Sequence, residues 1–398
     1  MTKKKLFLIA CPLYLFFYMG DAFLSSYYSL YFIRRSMDAM QQSILLALTP
    51  LALASGCILF SFLAKSQKAS LWLFRGCALM EAILAIIFAY CTSFPALIVM
   101  AILLGFFNGA PFAIIEGYLV PIVKSRGGNY SSIRLFGSLG YIVALAMGYF
   151  LLSNMPIENA YYFSFGFFLV AFFVAFLLHP VPDVEDQVDE IEQTPNHPYK
   201  KNAVLFILFS ALLYGTFNGV MALLPVRLVA LSFTDAHYSL ARSISIVIEV
   251  AVLLLMPLLN RFFTNRRIPL YIAGGLILIA TLSGGFIDNP YALAYLCMGL
   301  SNIGKAFLFS YQSLYLGELV GQHRIAGILT VAYGVNNVVT ALTNIFSSTI
   351  YESLQFSGYF FLMGGIEVLG IGALLALTFA NLKRKKEKSA ASSKTNAQ

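Results

Sequence analysis

Long apolar runs, bounded by charged residues, glycine or proline, recur along this sequence and constrain it more than any other feature. A helix that crosses a bilayer uses about 20 mostly apolar residues, and each run is long enough for one crossing. The chain of 398 residues is 59% apolar and 11% charged, whereas soluble domains are about 25% charged. This composition excludes a soluble protein, a secreted domain, a nucleic-acid binder and a receptor with a single anchor. The sequence predicts an all-α membrane protein.

The runs form two sets of six, and a polar segment separates them. Residues 1–179 hold the first set and residues 202–382 the second, so we expect twelve transmembrane helices in two pseudo-symmetric halves. Residues 180–201 are rich in proline and acidic residues and are predicted to be a solvated cytoplasmic linker. Residues 383–398 form a short basic tail. The predicted spans are Leu6–Phe32, Gln41–Ala64, Ser70–Cys91, Phe94–Val123, Tyr130–Ser153, Ala160–Leu178, Ala203–Val229, Tyr238–Phe262, Ile268–Ile287, Tyr291–Leu319, Ile325–Ser348 and Gly358–Leu382.

Lysine and arginine are distributed unevenly between the two sides of this layout. With both termini in the cytoplasm, most of the 26 basic residues fall on the cytoplasmic side, and only Arg34, Arg35 and Arg227 fall outside. Cytoplasmic loops of membrane proteins carry such an excess. The net charge of +8 therefore reports topology and indicates no nucleic-acid partner. We predict a multi-pass protein of the cytoplasmic membrane that acts as a monomer, with the bilayer and a small-molecule substrate as its partners.

Ionisable side chains inside the apolar runs are candidates for a functional site, because each costs about 2.5 kcal/mol or more near the bilayer centre. Glu81 and Glu367 lack polar neighbours at helical spacing and are left out of the candidate site. Arg242 lies near a helix end, from which a long side chain can reach the interface. The remaining intramembrane charges are Asp21, Glu116, Arg134, Glu249 and Lys305.

Polar side chains recur at helical spacing in several spans. In the first span they share one face, and they are Tyr14, Tyr18, Asp21, Ser25 and Tyr28. Similar stripes join Tyr214 with Asn218, Ser301 with Lys305 and Gln312, and Tyr333 with Asn337, Thr340 and Asn344. Stripes on several helices favour a shared, water-lined cavity. For the serine, threonine and asparagine positions, hydrogen bonds between helices are the alternative.

The stretch from Glu116 to Tyr141 is the most specific in the chain. Glu116 and Arg134 are eighteen residues apart, and a short basic turn lies between them. Because the chain reverses at this turn, the carboxylate and the guanidinium can meet on neighbouring helices, and the pair is far less costly to bury than either charge alone. Tyr141 lies seven residues after Arg134, on the same helix face.

This stretch resembles the lactose permease branch of the major facilitator superfamily, and residues 129–144 are also similar to the related phenylpropionate permease group. The resemblance implies a twelve-helix fold in which Glu116 and Arg134 bind sugar hydroxyls. It places Tyr141 where that family has a tryptophan that stacks on the sugar ring. Glu249, ahead of Pro257 and Asn260, resembles the family's binding glutamate.

The sequence also departs from that family's pattern. The lysine, histidine and glutamate cluster on the tenth helix, which carries proton coupling in the family, is reduced here to Lys305. On the seventh helix, Gly215 and Asn218 stand where two acidic residues are expected. These differences leave the fold assignment unchanged but bear on the substrate and on the proton mechanism.

We therefore predict a secondary active transporter in which the two halves expose a midplane site alternately to each side. Its solute is expected to be a sugar or glycoside, carried by proton symport with no cofactor. Glu249 and Asp21 are the candidates for proton coupling, since a carboxylate that alternates between an apolar setting and a cationic partner can bind and release a proton. The predicted substrate-binding residues are Glu116, Arg134, Tyr141, Asp21, Tyr18, Asn218, Glu249, Lys305 and Asn337.

Other classes of function remain open at this point. An organic-acid carrier resembling the phenylpropionate permeases, a nucleoside carrier of the same fold and a non-transporting membrane sensor are the alternatives. An enzyme is not expected, because the chain has no HExxH, GxSxG or paired-aspartate motif. The five cysteines show no metal-site spacing and are expected to serve packing.

Overall fold

The computed structural model describes residues 2–64, 66–126, 130–179, 199–263, 265–320 and 325–395, and the regular structure in these ranges is helical. Most of the predicted linker, residues 180–198, lies outside the described residues. The helices are α1 Lys3–Ser25, α2 Tyr28–Arg34, α3 Ala39–Leu63, α4 Gln67–Tyr90, α5 Phe94–Ser125, α6 Tyr130–Leu152, α7 Glu158–Ala175, α8 Tyr199–Ser210, α9 Thr216–Ala230, α10 Asp235–Phe262, α11 Arg267–Phe286, α12 Pro290–Val320 and α13 Ile325–Thr395.

Eleven helical stretches in the described ranges are long and apolar enough to cross a membrane. The last of them, Val331–Ala380, has 50 residues and would be about 75 Å long if it were straight, more than twice the hydrocarbon thickness. It is divided at Gln355, whose φ of 59° and ψ of 176° are not helical. The predicted boundary between spans eleven and twelve falls at this residue. The all-α fold with two six-helix halves is confirmed.

The first predicted span is interrupted. Residues 26 and 27 form a turn between α1 and α2, where the sequence predicts one continuous helix. In the second half, a π-helical turn at Ala211–Gly215 joins α8 to α9. The Gly215 carbonyl there accepts a hydrogen bond from the Thr340 hydroxyl of α13, at 2.9 Å. Such π turns leave backbone groups that a neighbouring helix must satisfy.

The same turn occurs at corresponding places in the two halves. Ser36, after α2, and Ser232, after α9, have left-handed φ values of 55° and 64°. Each is followed by the backbone hydrogen bonds of a Schellman turn. Two residues later, Asp38 and Thr234 cap the next helices through their side chains. This repetition supports an internal pseudo-symmetry of the halves.

Glycine allows several helices to approach backbone to backbone. A Cβ added at Gly105 of α5 would overlap the Thr49 carbonyl oxygen of α3. One added at Gly215 would lie 2.8 Å from the Asn336 carbonyl oxygen of α13. Small residues at such contacts drive helix packing in membranes.

The two halves meet at the end of the bundle where α2 ends and α3 begins, which we call the closed end. Arg34 of α2 holds Asp235 of α10 through two hydrogen bonds, at 3.0 and 2.9 Å. Further hydrogen bonds link Tyr27 to Ser239, Ser29 to the Ala222 carbonyl, Ser43 to Ser347, Ser239 to the Leu145 carbonyl, Ser243 to the Ile142 carbonyl and Asn344 to the Leu46 carbonyl.

At the opposite end, which carries the start of α1 and which we call the open end, polar side chains of the two halves are exposed. The exposed side-chain fractions of Arg134 and Glu116 are 63% and 42%. Tyr333 of α13 is 47% exposed. The fold therefore places an opening between the halves that leads toward the open end.

The glycine contacts give a test of the packing. Gly105→Ala should lower the melting temperature of the purified protein by several degrees, because overpacking costs about 1–3 kcal/mol. Gly275→Ala is the matched control, since a Cβ at Gly275 would meet nothing within 4 Å. Equal melting temperatures for the two variants would contradict the close α3–α5 contact.

Candidate functional site

Glu116 and Arg134 meet near the open end. Arg134 Nη1 of α6 lies 3.4 Å from Glu116 Oε1 of α5. The Tyr14 and Tyr130 hydroxyls hydrogen-bond to each other at 2.6 Å beside the pair. Tyr18 stacks on Tyr14, with ring centroids 5.7 Å apart, and interacts electrostatically with Arg134. The pair and an aromatic surface from α1 therefore form one wall of the opening.

Tyr141 lies deeper than this pair. Its hydroxyl is 3.0 Å from Ser25 Oγ and 3.3 Å from Ser26 Oγ, at the end of α1. Two helical turns separate it from Arg134, so the two side chains share a helix face without touching the same group.

Asp21 belongs to a buried cluster that includes a residue left out of the sequence prediction. Asn108 of α5 donates from Nδ2 to Asp21 Oδ1 at 2.8 Å and to Glu81 Oε1 at 3.3 Å. Asp21 is 8% exposed and Glu81 is fully buried. Glu81 shows no polar stripe on α4 because its partner lies on another helix. Its charge inside an apolar run was the only sequence signal for a role.

Glu249 and Lys305 form the ion pair of the second half. Lys305 Nζ of α12 lies 3.3 Å from Glu249 Oε2 of α10, and their side chains are 19% and 22% exposed. Tyr214 interacts electrostatically with Glu249 and is within hydrogen-bonding reach of Asn218. The structure thus brings together the three predicted residues Asn218, Glu249 and Lys305, with Tyr214 between them.

Arg242 occupies a central position that the sequence reading missed. It lies seven residues, about 10 Å, inside α10. Its guanidinium interacts electrostatically with Asp21 of the first half and with Glu249 of the second. The Tyr141 hydroxyl is within its hydrogen-bonding reach. The sequence analysis expected Arg242 to reach the membrane surface. In the structure it instead faces charged groups of both halves.

The polar stripe of α13 divides into two parts. Asn337 donates to the Tyr333 carbonyl at 2.9 Å, and Tyr333 faces the opening and interacts electrostatically with Asp21. Thr340 and Asn344 instead donate to backbone carbonyls of neighbouring helices. For these two residues the structure gives interhelical hydrogen bonds rather than a cavity wall.

Glu367 of α13 lies apart from this arrangement. It is fully buried and accepts a hydrogen bond from the Thr281 hydroxyl at 2.7 Å. It was left out of the predicted site, and in the structure it belongs to contacts within the second half.

Together these residues form a polar opening between the two halves. It offers fixed charges of both signs, hydroxyl groups and aromatic faces, all of which bind a solute without covalent chemistry. Such a site can bind a small polar solute from either half.

The comparison with known proteins gives the family. The model of the Major Facilitator Superfamily matches residues 10–326. The chain therefore belongs to this superfamily and is a membrane transporter. The uncharacterized transporter YwbF of Bacillus subtilis (strain 168) is 22% identical over 378 residues, which cover 92% of this chain and 91% of that protein.

Solved structures share the fold. The nucleoside transporter NupG, in the form of a point mutant, is 18% identical with a TM-score of 0.77 and covers 94% of this chain and 99% of its own. A D-xylose-proton symporter is 15% identical with a TM-score of 0.72, covering 95% and 97%. The comparisons support the superfamily, and membership of the lactose permease branch stays a prediction.

The two ion pairs should differ in their energetic coupling. Lys305→Met removes the ion-pair partner of the partly buried Glu249 and leaves Arg242 as the cation near it, so it should lower the melting temperature, while adding Glu249→Gln should restore most of the loss. Arg134→Met with Glu116→Gln should show little coupling, because exposed pairs contribute about 0–1 kcal/mol. Thermal unfolding of the single and double variants measures both cycles. Equal coupling in the two pairs would contradict the difference in burial.

Proposed function

We propose that this transporter carries an uncharged, hydroxyl-rich solute, a sugar or glycoside, by alternating access with proton symport. The observation that carries the proposal is the charge balance of the opening. Arg134 faces Glu116 and Lys305 faces Glu249, while Arg242 interacts with Asp21. A site whose charges are already paired suits a neutral solute whose hydroxyls both donate and accept hydrogen bonds.

The aromatic surface supports the same solute class. Tyr18 is partly exposed and interacts electrostatically with Arg134, while the buried Tyr14 stacks behind it. An apolar ring face of a sugar packs on such a surface, while its hydroxyls reach the Glu116 carboxylate and the Arg134 guanidinium. In the lactose permease branch, which this stretch resembles, the matching acidic residue and arginine bind sugar hydroxyls.

A nucleoside is the second candidate. It combines a sugar with a flat base, and the partly exposed ring of Tyr18 offers an aromatic contact for that base. NupG, whose fold this chain shares, is a nucleoside transporter. An organic acid fits less well, because it would need an arginine or lysine free of a carboxylate partner, and the basic residues named above each face one.

The state of the structure follows from the proposed orientation. With both termini in the cytoplasm, the open end faces the cytoplasm and the contacts around Arg34 and Asp235 seal the outer side. The structure then represents the inward-open state in the cytoplasmic membrane, and outward opening requires the closed-end contacts to separate.

Uptake by reconstituted protein tests the solute class. In counterflow assays with labelled pentose, galactoside, uridine and phenylpropionate, we expect exchange of a sugar or glycoside and none of the organic acid. Exchange of phenylpropionate without any sugar would contradict the proposal, and exchange of uridine alone would favour the second candidate.

Neutral replacements test the role of the ion pair between Glu116 and Arg134. Glu116→Gln and Arg134→Gln should each reduce counterflow at least about 100-fold, with little change in the yield of folded protein, since each removes a charge-assisted hydrogen bond to the solute. Arg227→Gln is the matched control. Arg227 lies outside the opening and forms an ion pair with Asp288, with 2.6 Å between Nη2 and Oδ1. If both Glu116 and Arg134 variants transport normally, the pair is structural.

Proton coupling is tested by adding solute to lightly buffered vesicles. We expect the external medium to become alkaline as protons enter with the solute, and an uncoupler should abolish accumulation. Accumulation that persists with no pH change would show that another ion or no ion is coupled.

A further inference from the structure

Asn108 joins two carboxylates of the first half, those of Asp21 and Glu81. Its single amide nitrogen donates to Asp21 Oδ1 and to Glu81 Oε1, at 2.8 and 3.3 Å. The two carboxylate oxygens are therefore at most about 6 Å apart, where two buried like charges repel strongly. The three residues come from α1, α4 and α5, so the helix packing itself builds the cluster.

The two carboxylates differ in what surrounds them. Glu81 is fully buried, and its Oε2 has no hydrogen-bond partner among the described residues. An ionised oxygen in that position would be severely destabilised, whereas a protonated carboxyl is tolerated. Asp21 is 8% exposed. Its backbone carbonyl accepts from Ser25, whose hydroxyl contacts Tyr141 of α6 at 3.0 Å. Next to Tyr141, the Ile142 carbonyl accepts from Ser243, the residue after Arg242, so Arg242 is the cation whose charge reaches Asp21. The negative charge of the pair therefore belongs on Asp21 and a proton on Glu81.

Arg242 belongs to the other half of the protein. It is carried by α10, the helix whose Ser239 and Ser243 form closed-end hydrogen bonds to α6. When the halves separate at that end, α10 moves away from the first half and takes Arg242 with it. Asp21 then loses its counter-charge.

The remaining titratable groups around the pair are ordinarily neutral. Tyrosine and cysteine have reference pKa values of about 10 and 8.5, so Arg242 supplies the positive charge in this group. The groups that interact with Asp21 or Glu81 are Tyr18 of α1, Tyr28 of α2, Cys77 of α4, Tyr141 of α6, Arg242 of α10 and Tyr333 of α13.

We propose that Asp21, Asn108 and Glu81 form the proton-binding site of this transporter, and that Arg242 of the opposite half controls its occupancy. When Arg242 is near Asp21, Asp21 is ionised and the site holds a single proton, which is on Glu81. With Arg242 withdrawn, Asp21 binds a second proton from water in the opening. The return of Arg242 displaces that proton to water on the other side. The proposal rests on proton symport for its role in transport, whereas proton binding itself can be measured without solute.

The experiment is an infrared pH titration of the full-length protein in liposomes, which follows the carbonyl band of protonated carboxyl groups. Around neutral pH, where exposed carboxylates stay ionised, wild type should show a titrating band from Asp21 and constant bands from the buried Glu81 and Glu367. Asp21→Asn should remove the titrating band, and Glu81→Gln should remove a constant band. Arg242→Gln should make the titrating band persist to at least a tenfold lower proton concentration.

Glu367→Gln is the matched control, because Glu367 is also fully buried but lies in the second half. It should leave the titrating band unchanged. The proposal is overturned if Asp21→Asn keeps the titrating band, or if Arg242→Gln leaves the pH range of its titration unchanged. It is also overturned if a sodium buffer, used in place of a potassium buffer, removes the band. Should Glu81→Gln fail to fold, the Asp21 and Arg242 variants decide.

The two proposals fail separately. If the band behaves as expected but solute entry moves no protons, proton symport is wrong and the proton site stands. If solute entry moves protons but Asp21→Asn leaves the band unchanged, coupling stands and this site is wrong.

Discussion

Each charge inside the bilayer needs a partner, and this requirement organises the structure. An unpaired ionised group in hydrocarbon is costly, so each intramembrane charge named here draws two helices together. Arg134 binds Glu116 between α5 and α6, and Lys305 binds Glu249 between α10 and α12. Arg242 interacts with carboxylates of both halves. The polar opening is therefore a place where electrostatic pairing, rather than apolar packing, determines how the halves fit together.

The closed end shows how the halves can alternate. Its contacts are mostly single hydrogen bonds from serine, tyrosine and asparagine, together with the Arg34 and Asp235 pair. Interhelical hydrogen bonds in membranes contribute only about 0.6 kcal/mol each, so a set of them holds one state without locking it. The repeated turns at Ser36 and Ser232 lie at this same end, which gives both halves the same loop geometry where they separate.

The sequence predicted the fold well, because the length of an apolar run is a local property. The meeting of Glu116 and Arg134 was also predictable, since few residues separate the end of α5 from the start of α6. The Asp21 and Glu81 cluster was not, because its bridge, Asn108, lies on a third helix and helical spacing reports only one helix at a time. Arg242 was misjudged for a related reason: its position along α10 was read without the neighbouring half, which supplies its partner Asp21.

Alternation of the opening between the two ends is the central claim, and distances between spin labels test it most directly. In a background without native cysteines, one pair of labels at Met40 and Glu352 reports on the closed end, and a second pair at Leu63 and Phe262 on the open end. These positions are exposed. On addition of the exchanged solute, we predict a longer distance at the closed end together with a shorter one at the open end. No change in either pair, or movement of both in the same direction, would contradict the account.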